Sequence, residues 1–222
     1  NNRVYGRMWS GGNWSPGLGS AAELLNYGDN NCGAPRVAIS NDGSAVVVWR
    51  QKSGASETGN YKVYKAHYRS GAWVKPSSYA DAVGTHPTYE YLEPNVAMDN
   101  DGNAIIVYAM QDLFNDLNRA EYSASLGSWG TEIFIQAYVS PYRPLIIMNS
   151  NEVIIATYTN DHIDLYRKST GYTEQKRSSN EVIEPHIDMV MNNSNTAYIA
   201  FVHDSSNKLH RADPPLTSEM IS

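Results

Sequence analysis

The chain has 222 residues, a hydrophobic fraction of 41% and a formal net charge of −6, from 17 basic and 23 acidic side chains. That apolar content excludes wholesale disorder, and the longest uninterrupted apolar run, the seven residues Ala104–Met110, falls far short of the ~18 needed for a membrane-spanning helix. The acidic balance argues against nucleic acid as a partner, and a single cysteine, Cys32, allows neither an internal disulfide nor a thiolate metal cage.

In chain order the first element is a hairpin, Val4–Trp9 followed by Gly12-Asn13-Trp14. A second hairpin runs Pro35-Arg36-Val37-Ala38-Ile39, turns at Asn41-Asp42-Gly43, and returns through Ala45 to Trp49. Asn-Gly and Asp-Gly steps tolerate the positive φ of tight turns. A Tyr-rich strand, Tyr61–Tyr68, and Gly71-Ala72-Trp73 complete the unit. The same order recurs at Pro94–Tyr108 with Arg119–Ser125 and Gly127-Ser128-Trp129, and at Pro144–Tyr158 with Ile163–Arg167 and Gly171-Tyr172. These two copies align with the first without a gap. A fourth copy runs from Pro185 to Phe201, with two extra residues assigned to its turn, and ends in Lys208–Asp213. The aromatic ends Trp49, Tyr108, Tyr158 and Phe201 stand 59, 50 and 43 residues apart.

Each Pro is expected at a strand start, where a missing N–H is tolerated. The strand after the turn is apolar throughout, so it should be covered on both faces. Four short antiparallel strands per ~40–60 residues define an all-β fold, a β-propeller of four-stranded blades. Five blades are expected. The division is a half-blade over residues 1–33, then blades at about 34–85, 86–140, 141–180 and 181–222, in one domain. The half-blade either completes the last blade or belongs to a longer ring.

The pattern Pro-x-Val-Ala-x-x-x-Asp-Gly-x-Ala-x-x-Val-Trp, followed by a Tyr-rich strand and Ser-Gly-x-Trp, resembles bacterial secreted β-propeller repeats of the sialidase-like, Asp-box-related kind. It covers nearly the whole chain. The turns at Ser70–Trp73 and Leu126–Trp129 lack the Asp of that box, and neither an arginine triad nor a Tyr–Glu nucleophile pair can be placed. The resemblance implies architecture, an extracellular or cell-surface location, and carbohydrate as a partner class. Small five-bladed animal lectins are similar in length and repeat size.

Candidate ligand-binding residues follow from the repeat. Loops entering each innermost strand and leaving each second strand converge at one channel mouth, and there the copies differ. These positions are Arg50, Gln51, Tyr89, Glu93, Gln111, Asp112, Arg143, Asp161, Glu184 and His203. Were the protein a glycosidase, Glu93 and Glu184 would be its facing carboxylates, with Arg143 tuning one of them. Trp14, Trp73 and Trp129 are expected as wedges between blades. Asp99-Asn100-Asp101-Gly102-Asn103 is expected as a hairpin turn rather than a calcium loop. No metal or other cofactor is expected. The reading is a carbohydrate-binding module acting through the channel mouth or inter-blade pockets, with a glycoside hydrolase and a protein-interaction scaffold as alternatives.

Overall fold

A computed structural model describes the chain except residues 1, 16–19, 55–58, 85, 112–114, 138–142, 160–161, 177–181, 193, 204–207, 214–216 and 221–222. For residues 159, 162, 174–176, 182–186, 201–203, 208–213 and 217–220 it describes the backbone alone. The fold is all-β, with two single-turn helical segments, Tyr79–Asp81 and Lys168–Thr170.

Four antiparallel sheets follow one another among the described residues. The first comprises Cys32–Ile39, Ala45–Lys52, Tyr61–Arg69 and Ala72–Val74, paired in that order. The second comprises Glu90–Met98, Ala104–Gln111 and Asp116–Ser123, then an interrupted outer strand, Ser128–Trp129 and Ile133–Gln136. The third comprises Leu145–Met148, Val153–Thr159, His162–Arg167 and Glu174–Lys176. The fourth comprises Val182–Met191, Ala197–His203, Lys208–Asp213 and Thr217–Met220. Before them, Tyr5–Gly6 pairs with Glu23–Leu24, and Met8–Ser10 pairs with Asn13–Ser15. The first strands of successive sheets lie against one another.

The second strands of the first three sheets are covered on both faces, as their unbroken apolar sequence requires. Val46 and Val48 face the second sheet's Ile106 and Tyr108, while Val47 and Trp49 face Val4 and Leu25 of the N-terminal unit. Ile105 and Val107 meet Ile146 and Ile155 of the third sheet. Ile154 and Ala156 meet Ala197 and Ile199 of the fourth. Apolar layers therefore alternate with sheets along the chain, the arrangement of stacked propeller blades.

The turns explain where the repeat departs from a gap-free alignment. In the first, second and fourth sheets five residues separate the paired strand ends, with the fourth of them left-handed: Gly43 at φ 80°, Gly102 at 83° and Asn195 at 62°. The third sheet has Asn149-Ser150-Asn151-Glu152, without Gly, and closes with four residues, so Met148 pairs with Val153. A one-residue slip exchanges the two faces of a strand. Tyr158 accordingly faces the fourth sheet, whereas Tyr108 faces the preceding one. Thr157, only 1% exposed, takes the register of Trp49 and Tyr108. The fourth copy's two extra residues lie in its first strand, since its turn Asn192–Thr196 matches the others.

Pro35, Pro94 and Pro185 also sit inside their strands rather than at the start. Ladder pairing skips between Gly33 and Arg36, and between Leu92 and Asn95. A bulge absorbs the missing N–H of Pro on an edge strand, which lets the strand continue past it.

The outer hairpins carry a recurring cross-strand aromatic pair. Trp9 lies opposite Trp14, Tyr68 opposite Trp73 and Tyr122 opposite Trp129, each with ring centroids 5.3 Å apart. Trp73 packs on the N-terminal unit at Gly6 and Leu25, and Trp129 on the first sheet, as wedges should. Trp14 is 39% exposed and packs on Trp9 instead.

Candidate functional site

The residue preceding three of the four repeating prolines is left-handed: Ala34 at φ 50°, Glu93 at 45° and Arg143 at 45°. A non-Gly residue there costs roughly 1–3 kcal/mol, and a following Pro restricts its backbone further. The strained position recurs on or just before the first strands of three sheets, and two of its three side chains are charged.

Those two meet. The Glu93 carboxylate lies 3.4 Å from Arg50 and 3.8 Å from Arg143. Three sheets therefore contribute one residue each to a single cluster. Arg50 also stacks over the ring of Tyr61 at 5.1 Å, and its buried Nε has no hydrogen-bond partner among the described residues. Glu93 is 23% exposed and Arg143 57%, so the cluster opens to solvent on the third-sheet side. Asn95 Nδ2 donates to the Pro144 carbonyl at 3.1 Å, fixing the second first-strand against the third.

Before Glu93 the 86–91 segment is held by Lys62. This lysine is 6% exposed, donates to the carbonyls of His86 and Tyr89, and lies 4.5 Å over the Tyr91 ring. Burial lowers its pKa, which the nearby carboxylates of Glu132 and Glu90 partly offset. His86 and Tyr89 stack face to face at 3.7 Å. The buried Tyr91 phenol, pushed up to about 12 by burial, accepts the His86 N–H at 3.0 Å.

The other expected site residues divide. Gln51 is fully buried, accepts from Trp49 Nε1 at 3.0 Å and donates to the Tyr27 carbonyl. It supports the core and is not at the mouth, because its amide is spent satisfying a buried indole. Gln111 is exposed at the end of its strand. Asp112 and Asp161 lie outside the described residues. Glu184 and His203 stand on described strands, but their side chains are outside what is described. Tyr61 and the strained backbone of Ala34, Glu93 and Arg143 escape sequence reasoning, since a non-Gly residue signals no positive φ.

Two features have structural explanations. Asp99 Oδ1 accepts the N–H groups of Asp101 and Asn103, and Oδ2 the amide of Asn103. The carboxylate thus serves its own turn, as Asn149 and Asn192 do in theirs. Cys32 opens the first sheet rather than lying in a loop, and burial pushes its thiol up to about 12, far from a reactive thiolate.

No protein-family profile matches the chain, and no curated protein is similar to it in sequence. Solved structures are similar in fold. The Hadza microbial sialidase Hz136 superposes with a TM-score of 0.61 at 11% identity, over 87% of this chain and 46% of that one. Trypanosoma rangeli sialidase gives 0.53 at 9%, over 91% and 40%. An endo-arabinase from Bacteroides thetaiotaomicron VPI-5482 gives 0.53 at 10%, over all of this chain and 87% of that one. The chain spans less than half the length of these sialidases. The likeness establishes the β-propeller architecture seen in carbohydrate-active enzymes.

Proposed function

We propose that the chain is a carbohydrate-binding propeller module, secreted or displayed at a cell surface, with its ligand seated over Arg50, Glu93 and Arg143. The observation that carries this reading is the cluster itself. A carboxylate and two guanidiniums from three sheets converge on strained backbone, with Tyr61 alongside. Charged acceptors and donors around an aromatic ring suit the hydroxyls and apolar face of a sugar. The structural neighbours include sialidases and an endo-arabinase, which act on glycans.

A hydrolase is the second reading, favoured by a partly exposed carboxylate, Glu93, within the cluster. In that reading Glu93 is one carboxylate of the pair a glycosidase needs. Glu184 would then supply the other. Five blades remain part of the proposal, with the N-terminal strands as the fifth unit.

A glycan-array screen of the chain, paired with a reducing-end release assay on each positive glycan, tests the reading. Binding without release supports a module. Release that disappears in Glu93→Gln while binding persists supports the hydrolase. A blank array contradicts the carbohydrate reading.

A further inference from the structure

We infer a second site, a cleft between the first and second sheets that takes an acidic sugar residue through Lys65, His67 and Arg69. The inference rests on the carbohydrate reading above and concerns a place remote from Glu93 in the repeat. The cleft holds about 520 Å³, within the ~300–1,000 Å³ usual for small-ligand sites. Its first-sheet wall is the row Lys65, His67, Arg69 of one strand, on the face towards the second sheet. Alternation of side chains puts such i, i+2, i+4 residues on one face. Its second-sheet wall is the Tyr122–Trp129 pair.

Three observations point to an anion. First, His67 is 7% exposed, packs edge-on against Tyr122 at 4.5 Å, and its Nε2 has no hydrogen-bond partner among the described residues. A buried polar atom left without a partner is costly, and a ligand oxygen would satisfy it. Second, the Lys65 ammonium lies over the Trp129 ring at 5.2 Å. Burial lowers its pKa, with only a compensating pull from Asp81. Third, the acidic group in the cleft is already committed. Asp81 accepts from the N–H and hydroxyl of Ser77 and from the N–H of Ser78, at 2.8, 2.9 and 3.0 Å. Arg69 is tied to the Tyr122 hydroxyl, which holds the two walls together.

The positive wall thus faces an aromatic one, in a chain whose net charge is −6. A carboxylate or sulfate on an otherwise apolar ring face fits both walls. A simple anion would use only the first, and a neutral sugar only the second.

The test is calorimetric titration with trigalacturonic acid, its methyl ester, galactose 6-sulfate, neutral arabinotriose and inorganic sulfate. The proposal predicts binding of at least one acidic sugar, and at least tenfold weaker binding of the methyl ester. Lys65→Gln should weaken the acidic sugar at least tenfold and leave arabinotriose unchanged. His67→Phe keeps the ring against Tyr122 and should weaken the acid too. Acid and ester binding equally, acid binding that survives both cleft variants, or inorganic sulfate binding as tightly as the sugars would overturn the proposal. Binding of arabinotriose alone would overturn it and leave the carbohydrate reading standing. No sugar binding at all would overturn both.

Discussion

The Glu93 carboxylate reaches the Arg50 guanidinium at 3.4 Å across the boundary between two sheets. Arg50 ends the exit side of one sheet's second strand, and Glu93 sits at the bulge of the next sheet's first strand. A repeated backbone device, the left-handed residue before Pro, puts Glu93 there. The same device puts Arg143 in the next sheet and leaves Ala34 without a charged group.

That device has a measurable cost. Ala34 has φ 50° and no functional side chain. Ala34→Gly should relieve the strain and stabilise the fold by about 1 kcal/mol, partly offset by the greater freedom of unfolded Gly. Urea unfolding of the pair of proteins reads the difference. Destabilisation would mean that the backbone at this position is not held as described.

Gly84 closes against the core. A Cβ there would lie 1.9 Å from the Tyr91 ring, which is fully buried. Gly84→Ala must displace either the loop or the ring. It should cost about 1–3 kcal/mol, as overpacking does, and appear as a lowered midpoint in thermal unfolding.

Thr157 stands where Trp49 and Tyr108 stand in the other sheets, and its buried hydroxyl has no partner among the described residues. Thr157→Val keeps the shape and removes the unsatisfied group. Stability should rise by about 1 kcal/mol, which chemical denaturation would show.

Glu152 is 4% exposed. Burial raises its pKa, but the Ser169 hydroxyl and N–H, the Val153 N–H and Arg167 together hold it below the ordinary value. Its folded pKa is depressed, so its contribution is complete above the unfolded pKa and fades as pH falls through the folded one. Glu152→Gln should therefore destabilise by about 1–3 kcal/mol near neutrality, with the gap from wild type closing as pH falls through the folded pKa. A gap independent of pH would contradict the ionised, bonded carboxylate.

The hairpins at Ala45–Lys52 and Ala104–Gln111 were legible because their turns carry Asp-Gly and their second strands are apolar throughout. The third copy misleads because its sequence aligns without a gap while Glu152 stands where the longer turn has a left-handed Gly or Asn, a conformation that favours those residues. Pro144 marked the start of its strand, but Pro35, Pro94 and Pro185 lie inside theirs, since the bulge that accommodates Pro is a pairing property. Glu93 and Arg143, which the structure brings together, were singled out by their place in the repeat. Gln51 was misjudged because its neighbour Trp49 needs a buried acceptor, which spacing does not reveal. The cleft at Lys65 and His67 was invisible, since it needs two sheets in contact.

The most direct test of the account is NMR of the arginine Nε–H groups during titration with a neutral oligosaccharide identified on the array. The account predicts that the Arg50 and Arg143 signals shift together and saturably, and that Arg143→Gln weakens binding at least tenfold. Saturable binding that leaves both signals unmoved would contradict a ligand site at the Glu93 cluster.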